Sequence, residues 1–313
     1  MEGKIRRWQG SRGDEEKARG DETDAATASG SDGEKEKNRY WSYSNDEKMS
    51  PSYSTLLYNK EANNVCTITL NRPEVYNALN EQMKKEINEA LKEAEKDQDV
   101  RCLVIRGAGD KAFCSGQDLK EHSGGEKRRS LKESLEKSYN PMIRKMRSME
   151  KPIVAMINGV AAGAGLSIAL ACDLRTMADH AKLIEVFIRI GLVPDSGSHW
   201  FLPRLVGMAR AFEYAALGND VSAAEAERVG LVNKVVPSAE LEKVTMEIAE
   251  RLAKSPTRSI GLIKRTLNKA LSSNLDALLD YEASIQEIAS LTEDHREGIA
   301  AFLEKRKANF KGR

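Results

Sequence analysis

The sequence predicts an α/β core followed by a largely helical C-terminal region, and three observations carry that reading. β-rich runs alternate with helical ones between residue 52 and about residue 180. Two of the strands run into loops of small residues that lead straight into helices. Roughly the last hundred residues have helical apolar spacing almost throughout.

The elements follow in order. "STLLYNK" and "NVCTITL" (residues 54–60 and 64–70) are rich in β-branched and aromatic residues, and "NRP" closes the second with a turn. From Asn80 to Lys96 the apolar residues Met83, Ile87, Ala90, Leu91 and Ala94 recur at helical spacing. "RCLVIRG" (101–107) and "KPIVAMINGV" (151–160) are buried strands, and "DLRTMA" (173–178) is a strand entered from a helix through Cys172. Beyond it, "AAEAERVG", "ELEKVTMEIAERLAKS", an amphipathic run from about 256 to 290 and a basic terminal helix "REGIAAFLEKRKANF" fill the remainder. Three regions result: a polar tail over 1–51, a core over 52–250 and a helical region over 251–313.

Composition narrows the function classes. Lys and Arg number 49 against 48 acids, a net charge of +1, so the basic excess of a nucleic-acid binder is missing. The densest basic cluster, "EKRRSLKES" at 126–134, reads as a solvated helix face. No apolar run reaches the ~18 residues that a membrane span needs, and the N-terminus lacks a signal-peptide core, so a cytoplasmic protein is expected. Cysteines 66, 102, 114 and 172 form no CxxC pair and lie mostly in apolar runs, which makes them small core residues of a reduced protein rather than disulfide partners or metal ligands. The tail alternates charges with Gly, Ser, Ala and Thr, and Ile5 is its lone Ile, Leu or Val; it cannot bury enough apolar surface to offset the entropy of ordering and is expected to be disordered. Met49 is a candidate start of the functional unit.

Three segments can carry chemistry. "VIRGAGDKAFCSGQDLKE" (104–121) and "VAMINGVAAGAGLSIALACD" (154–173) are strand–loop–helix units whose small residues allow close approach to the backbone. A phosphate loop is excluded, because no Lys-Ser/Thr follows the glycines and dinucleotide spacing is absent. Close helix packing and a pair of N–H groups aimed at one oxyanion both fit. The third segment, "GLVPDSGSHWF" (191–201), places Asp195 in good turn chemistry just beyond the apolar "LIEVFIRIGLV". Histidines 122, 180, 199 and 295 sit in neither a triad nor an HExxH arrangement.

Together and in this order, "NRPEVYNALN", "AFCSGQDLKE", "INGVAAGAGLSIALACD", "GLVPDSG", "LPRLVG", "SAAEAERVGLVNKVV" and "EGIAAFLEKRKANFKGR" resemble the enoyl-CoA hydratase/isomerase (crotonase) superfamily over some 260 residues. The resemblance implies a crotonase spiral of ββα turns, a C-terminal helical trimerisation region and a homotrimer or dimer of trimers. It implies an acyl-CoA thioester substrate, with coenzyme A part of that substrate and no separate cofactor or metal. Two backbone N–H groups, mapped onto Ser115 and Ala164, would hold the thioester oxygen, and Lys305 matches a position that contacts CoA phosphates. The two glutamates that hold water in hydratases map onto Ser167 and Phe187, neither an acid; Glu185 lies two residues from the second. Asp195 falls where several relatives carry a catalytic aspartate, and Phe187, Ile190 and Leu192 around it would desolvate the carboxylate and raise its pKa. "YNP" at 139–141 and "GLVPDSG…WFLPRLVG" bring the chain nearest the isomerases of the phenylacetyl-CoA (epoxyphenylacetyl-CoA) branch. A dehalogenase would need a histidine where Asn140 stands. Ser167, Phe187 and Asn140 are therefore expected to line the acyl pocket. The expected activity is an enoyl-CoA isomerisation with Asp195 as base, the alternatives being hydration and a non-catalytic role such as RNA binding.

Overall fold

Ten short strands are sorted into two sheets by the pleat and by where each strand finds partners. The computed structural model describes residues 52–123 and 130–313, so the polar tail expected over 1–51 and part of the basic cluster lie outside the described residues. The strands are β1 (Leu56–Lys60), β2 (Val65–Leu70), β3 (Cys102–Gly107), β4 (Ala112–Cys114), β5 (Ile153–Ile157), β6 (Val160–Ala162), β7 (Leu174–Ala178), β8 (Lys182–Ile184), β9 (Asp220–Ser222) and β10 (Lys234–Val236). A six-stranded sheet has the order β1-β2-β3-β5-β7-β10, and a four-stranded sheet the order β4-β6-β8-β9. The pairs β1–β2 and β8–β9 are antiparallel; the other ladders are parallel. The pairs β3–β4, β5–β6 and β7–β8 each lay one strand in the large sheet and the next in the small sheet before a helix, whereas β1 and β2 both lie in the large sheet. The architecture is the α/β spiral of ββα turns expected from the sequence.

The helices are α1 (Glu81–Lys96), α2 (Leu119–Ser123), α3 (Leu131–Ser134), α4 (Asn140–Ser148), α5 (Ala164–Ala171), α6 (Ser198–Val206), α7 (Met208–Leu217), α8 (Ala223–Arg228), α9 (Ser238–Ala253), α10 (Thr257–Ala270), α11 (Leu275–Ser290) and α12 (Glu293–Leu303). Helix α1 starts where the sequence indicates because the Asn80 side chain accepts the Met83 N–H, an N-cap worth about 1 kcal/mol. Its buried apolar residues are Met83, Ile87, Ala90, Leu91 and Ala94, as the spacing predicts, and Lys84 and Glu86 are buried beside them. Helix α5 has no polar face; all eight of its residues are buried, so it lies inside the molecule. Strand β5, IVAMI, is likewise buried at every position, as a strand covered on both faces must be.

In the C-terminal region one expectation is refined and one is corrected. The amphipathic run from 256 to 290 is two helices, because Asn274 accepts the Ala277 N–H and caps a new start after the Ser272-Ser273 turn. The terminal helix stops at Leu303 rather than running on to Phe310. Lys305 takes a left-handed φ of 55°, and Lys305 and Arg306 turn their N–H groups back onto Phe302 and Ala301. Helices α10 to α12 leave an apolar groove of about 1130 Å³ lined by Leu262, Ile263, Leu267, Leu279 and Phe302. All four cysteines are free and buried. Among the described residues no helix is long and apolar enough to cross a membrane.

Candidate active site

Two glycines bring the strand–loop–helix units together. A Cβ on Gly165 would lie 2.3 Å from the Cys114 carbonyl oxygen, and one on Gly116 would lie 2.9 Å from the Ala162 oxygen and 3.5 Å from the Ala164 nitrogen. Nothing larger than hydrogen fits at either position, so the loop after β4 rests on the first turn of α5. Gly163, with φ of 52°, turns the chain into α5. The Ala164 N–H, in the helix's first turn, has no backbone acceptor among the described residues.

The Ser115 N–H, expected to pair with that of Ala164, already has a backbone acceptor. Ser115 donates its N–H to the Tyr76 carbonyl at 3.0 Å, so it is already spent within the protein. Two positions on, the loop makes an isolated bridge to Leu79: Leu79 donates to the Gly116 carbonyl and Asp118 donates to Leu79. That alternation leaves the intervening Gln117 N–H without an acceptor among the described residues. The Gln117 side chain is anchored, its Oε1 accepting from the Tyr139 hydroxyl at 2.6 Å and from Lys84 Nζ at 3.3 Å. Lys84 is fully buried although it belongs to α1, and it also reaches Glu81 at 2.5 Å and the Ser134 hydroxyl at 3.1 Å. Further up the loop, Arg72 ties Asp118 at 2.9 Å and the Ala78 carbonyl at 2.7 Å. Sequence reasoning missed this scaffold of Arg72, Lys84 and Gln117. No sequence signal marked it, because Lys84 is followed by Lys85 and Glu86 and reads as part of the polar face of α1.

The Asp195 segment is a turn after all: Ser198 donates its N–H to the Asp195 carbonyl at 3.0 Å, Ser196 has φ of 50° and Gly197 has φ of 91°. The turn and the carboxylate are compatible, because the turn ends in α6 and presents the side chain ahead of it. The Asp195 carboxyl is half-buried and accepts the Ser196 hydroxyl at 2.8 Å. Burial pushes its pKa above the ordinary aspartate value, against the opposing pull of the Ser196 hydroxyl and His199. Phe187 is buried and its ring lies over Gly163, whereas Ile190 is 52% exposed. Tyr139 faces the same region, since Asp195 is among the charges that, after burial, raise its phenol well above the usual range. Asn140 follows it as the first residue of α4.

Ser167 is fully buried and bonds the Asp195 carbonyl at 3.0 Å, the Gly163 carbonyl at 3.2 Å and the Ser198 hydroxyl at 2.9 Å. Ser198 in turn bonds Glu185 Oε1 at 2.9 Å. Glu185 is 1% exposed, its Oε2 has no hydrogen-bond partner among the described residues, and burial pushes its pKa up to about 7. Lys305 is exposed in the C-terminal turn and makes no hydrogen bond or ion pair with the loop residues. Among the described residues no group of three or more His, Cys, Asp or Glu could hold a metal ion.

The arrangement offers two N–H groups without a backbone acceptor among the described residues, on loops that touch each other, and one half-buried carboxylate. Such a set can stabilise an oxyanion and move a proton. Known proteins with this sequence pattern are numerous. The family model described as enoyl-CoA hydratase/isomerase matches residues 60–313. A 1,2-epoxyphenylacetyl-CoA isomerase from Escherichia coli is 42% identical over 80% of this chain and 95% of its own length. A probable enoyl-CoA hydratase from Rhodobacter capsulatus is 41% identical over 84% of this chain and 100% of its own. Among solved structures, an enoyl-CoA hydratase/isomerase from Mycobacterium abscessus superposes with a TM-score of 0.79 at 36% identity, covering 82% of this chain and 100% of that one.

Proposed function

The chain belongs to the enoyl-CoA hydratase/isomerase family, and from that premise we propose that it isomerises an enoyl-CoA thioester with Asp195 as the general base. The observation that carries the reading is the pairing of a half-buried Asp195, its pKa raised by burial, with Ser167 and Phe187 at the two positions where a hydratase keeps its glutamates. Asp195 takes a proton from the acyl chain, and the C–H electron pair moves into the thioester to form an enolate. The Ala164 N–H and, in place of the Ser115 N–H, the Gln117 N–H hold the oxyanion; one such donor is worth about 3–4 kcal/mol. Returning the proton at the far end of the conjugated system moves the double bond, and one base suffices for both transfers. Opening a strained ring on the acyl group uses the same enolate. Phe187, Ser167 and Asn140 border the acyl pocket, and Lys305 meets the CoA phosphates. The exposed apolar groove of α10 to α12 becomes the contact surface of a homotrimer or a dimer of trimers.

A second reading has its own support. The Rhodobacter relative and a Clostridium acetobutylicum relative at 34% identity are named hydratases, and Glu185 stands within two residues of a hydratase glutamate position. Purified enzyme and Asp195→Asn, tested on matched 2-enoyl-CoA and 3-enoyl-CoA, separate the two. Isomerisation that falls by about 10²–10⁴ in the variant while acyl-CoA affinity persists is the expected result. Hydration surviving unchanged in the variant would sink the proposal and hand the chemistry to another group.

A further inference from the structure

The contacts linking Glu185, Ser198 and Ser167 fix how many protons they share. Ser167 Oγ lies within hydrogen-bond distance of two carbonyl oxygens, those of Asp195 and Gly163, and carbonyls can only accept. Its single hydroxyl proton is needed there. The 2.9 Å contact between Ser167 and Ser198 then requires Ser198 to be the donor. With its one proton spent, Ser198 can bond Glu185 Oε1 at 2.9 Å only by accepting. The donor is then the carboxyl group itself. The partnerless and fully buried Oε2 points the same way, since an ionised carboxylate there would leave half its charge without a donor.

We propose that Glu185 is a positioning residue that works as a neutral carboxylic acid, heading a one-way chain of donors through Ser198 and Ser167 whose last bond holds the Asp195 carbonyl. Ionising Glu185 reverses the chain. Ser198 turns its proton to the carboxylate, Ser167 turns its own to Ser198, and the side-chain bond to Asp195 is lost. The Asp195 carbonyl keeps the Ser198 N–H at 3.0 Å, so the turn survives with one bond fewer rather than unfolding. The base-bearing turn is thereby sensitive to pH around neutrality, consistent with burial raising the Glu185 carboxyl to about 7.

Other charges around Glu185 do not account for such a response. The helix packed beneath it, α5, and strand β6 carry no titratable side chain. On β9, Asp220 is paired with Lys182 of β8 and with Arg189 of the turn after it. On α8, Glu225 holds Arg228 and Tyr214 of α7, and Glu227 accepts the Val235 N–H. The remaining charged residues of α6 and α7 (His199, Arg204, Arg210 and Glu213) are exposed. Of all these groups and the Asp195 turn, Asp195 is the charge that acts on Glu185, and it opposes ionisation.

The kinetic consequence rests on Asp195 as base; the protonation state does not, and the test separates them. Infrared difference spectra of the full-length protein, wild type against Glu185→Gln, are recorded about a unit either side of pH 7. A protonated-carboxyl C=O stretch at the lower pH, absent from the variant and fading at the higher pH, is expected. Its absence at the lower pH overturns the proposal whatever the base is. In the pH profile of isomerisation, the wild-type rate should drop about fivefold relative to the variant across that interval, the worth of one neutral hydrogen bond. Superimposable profiles would overturn the positioning role. Ser198→Ala, which cuts the chain but leaves the carboxyl, should keep the infrared band and lose the drop; a drop that persists there also counts against the proposal.

Discussion

Two glutamates in this molecule are almost equally hidden, Glu86 at 3% exposure on α1 and Glu185 at 1% after β8, yet their pKa values move in opposite directions. Burial acts to raise both. At Glu86 it is outweighed by donors: the Gln82 side chain and the hydroxyls and N–H groups of Ser54 and Thr55 all point at its two oxygens, at 2.5–2.8 Å, and the pKa falls to about 2. At Glu185 one hydroxyl meets one oxygen, the other oxygen meets nothing, and the pKa rises to about 7. The number of donors, not depth, decides whether a buried acid is a charged anchor or a neutral one. Asp195 lies between these cases, with one hydroxyl donor and partial burial, which is where a base that must both take and return protons belongs.

The comparison breaks most visibly at Glu86. Glu86→Ala should cost about 3–5 kcal/mol at neutral pH, because the buried donors of Ser54 and Thr55 lose a charged acceptor. Its folded pKa is depressed, so this contribution is present above the ordinary value of 4.5 and is lost as pH falls toward about 2. Urea unfolding at neutral and acid pH would show the deficit shrinking; a deficit independent of pH would mean Glu86 acts by packing alone. Glu185→Gln should do the reverse. A raised folded pKa means the native state holds its proton longer than the unfolded chain, so wild-type stability declines as pH rises from about 4.5 to about 7. The variant escapes that decline and should gain about 3 kcal/mol over wild type above the window and nothing below it. Equal unfolding midpoints at high pH would show that Glu185 finds donors in solution. The smallest effect is expected at Tyr139→Phe, which removes the 2.6 Å bond to Gln117 and frees the loop that carries its N–H. A loss of about fivefold in kcat/KM, with stability nearly unchanged, would sharpen the assignment of Gln117.

Periodicity and turn chemistry made most of the fold legible. Strands β2, β3 and β5 of the large sheet are marked by runs rich in Val, Ile and Thr, and α1 was readable to its cap because Asn80 precedes a regular apolar face. What could not be read depended on partners far away in the chain. Ser115 and Gln117 differ by two positions, and which N–H is free turns on where the carbonyls of Tyr76 and residues such as Leu79 fall. Lys84 reads as a solvated helix position until Gln117, Ser134 and Tyr139 close over it. Glu185 sits out of register with the family's hydratase position, and its meaning rests on two hydroxyls, 13 and 18 residues away in opposite directions, that no spacing rule links to it. The break in the run from 256 to 290 was visible in principle as Ser-Ser-Asn, a capping signature overridden by strong apolar spacing on either side.

The four cysteines have a practical consequence at the bench. Each is buried without a disulfide, and burial lifts Cys66 to about 11 and Cys114 and Cys172 to about 12, with Cys102 higher still, so almost no thiolate exists at neutral pH. A maleimide or iodoacetamide added to the native protein should therefore wait for the core to open. Labelling rate becomes a clock for that opening, and a single cysteine introduced on the surface becomes a clean attachment point for a fluorophore or spin label with the native thiols left in place.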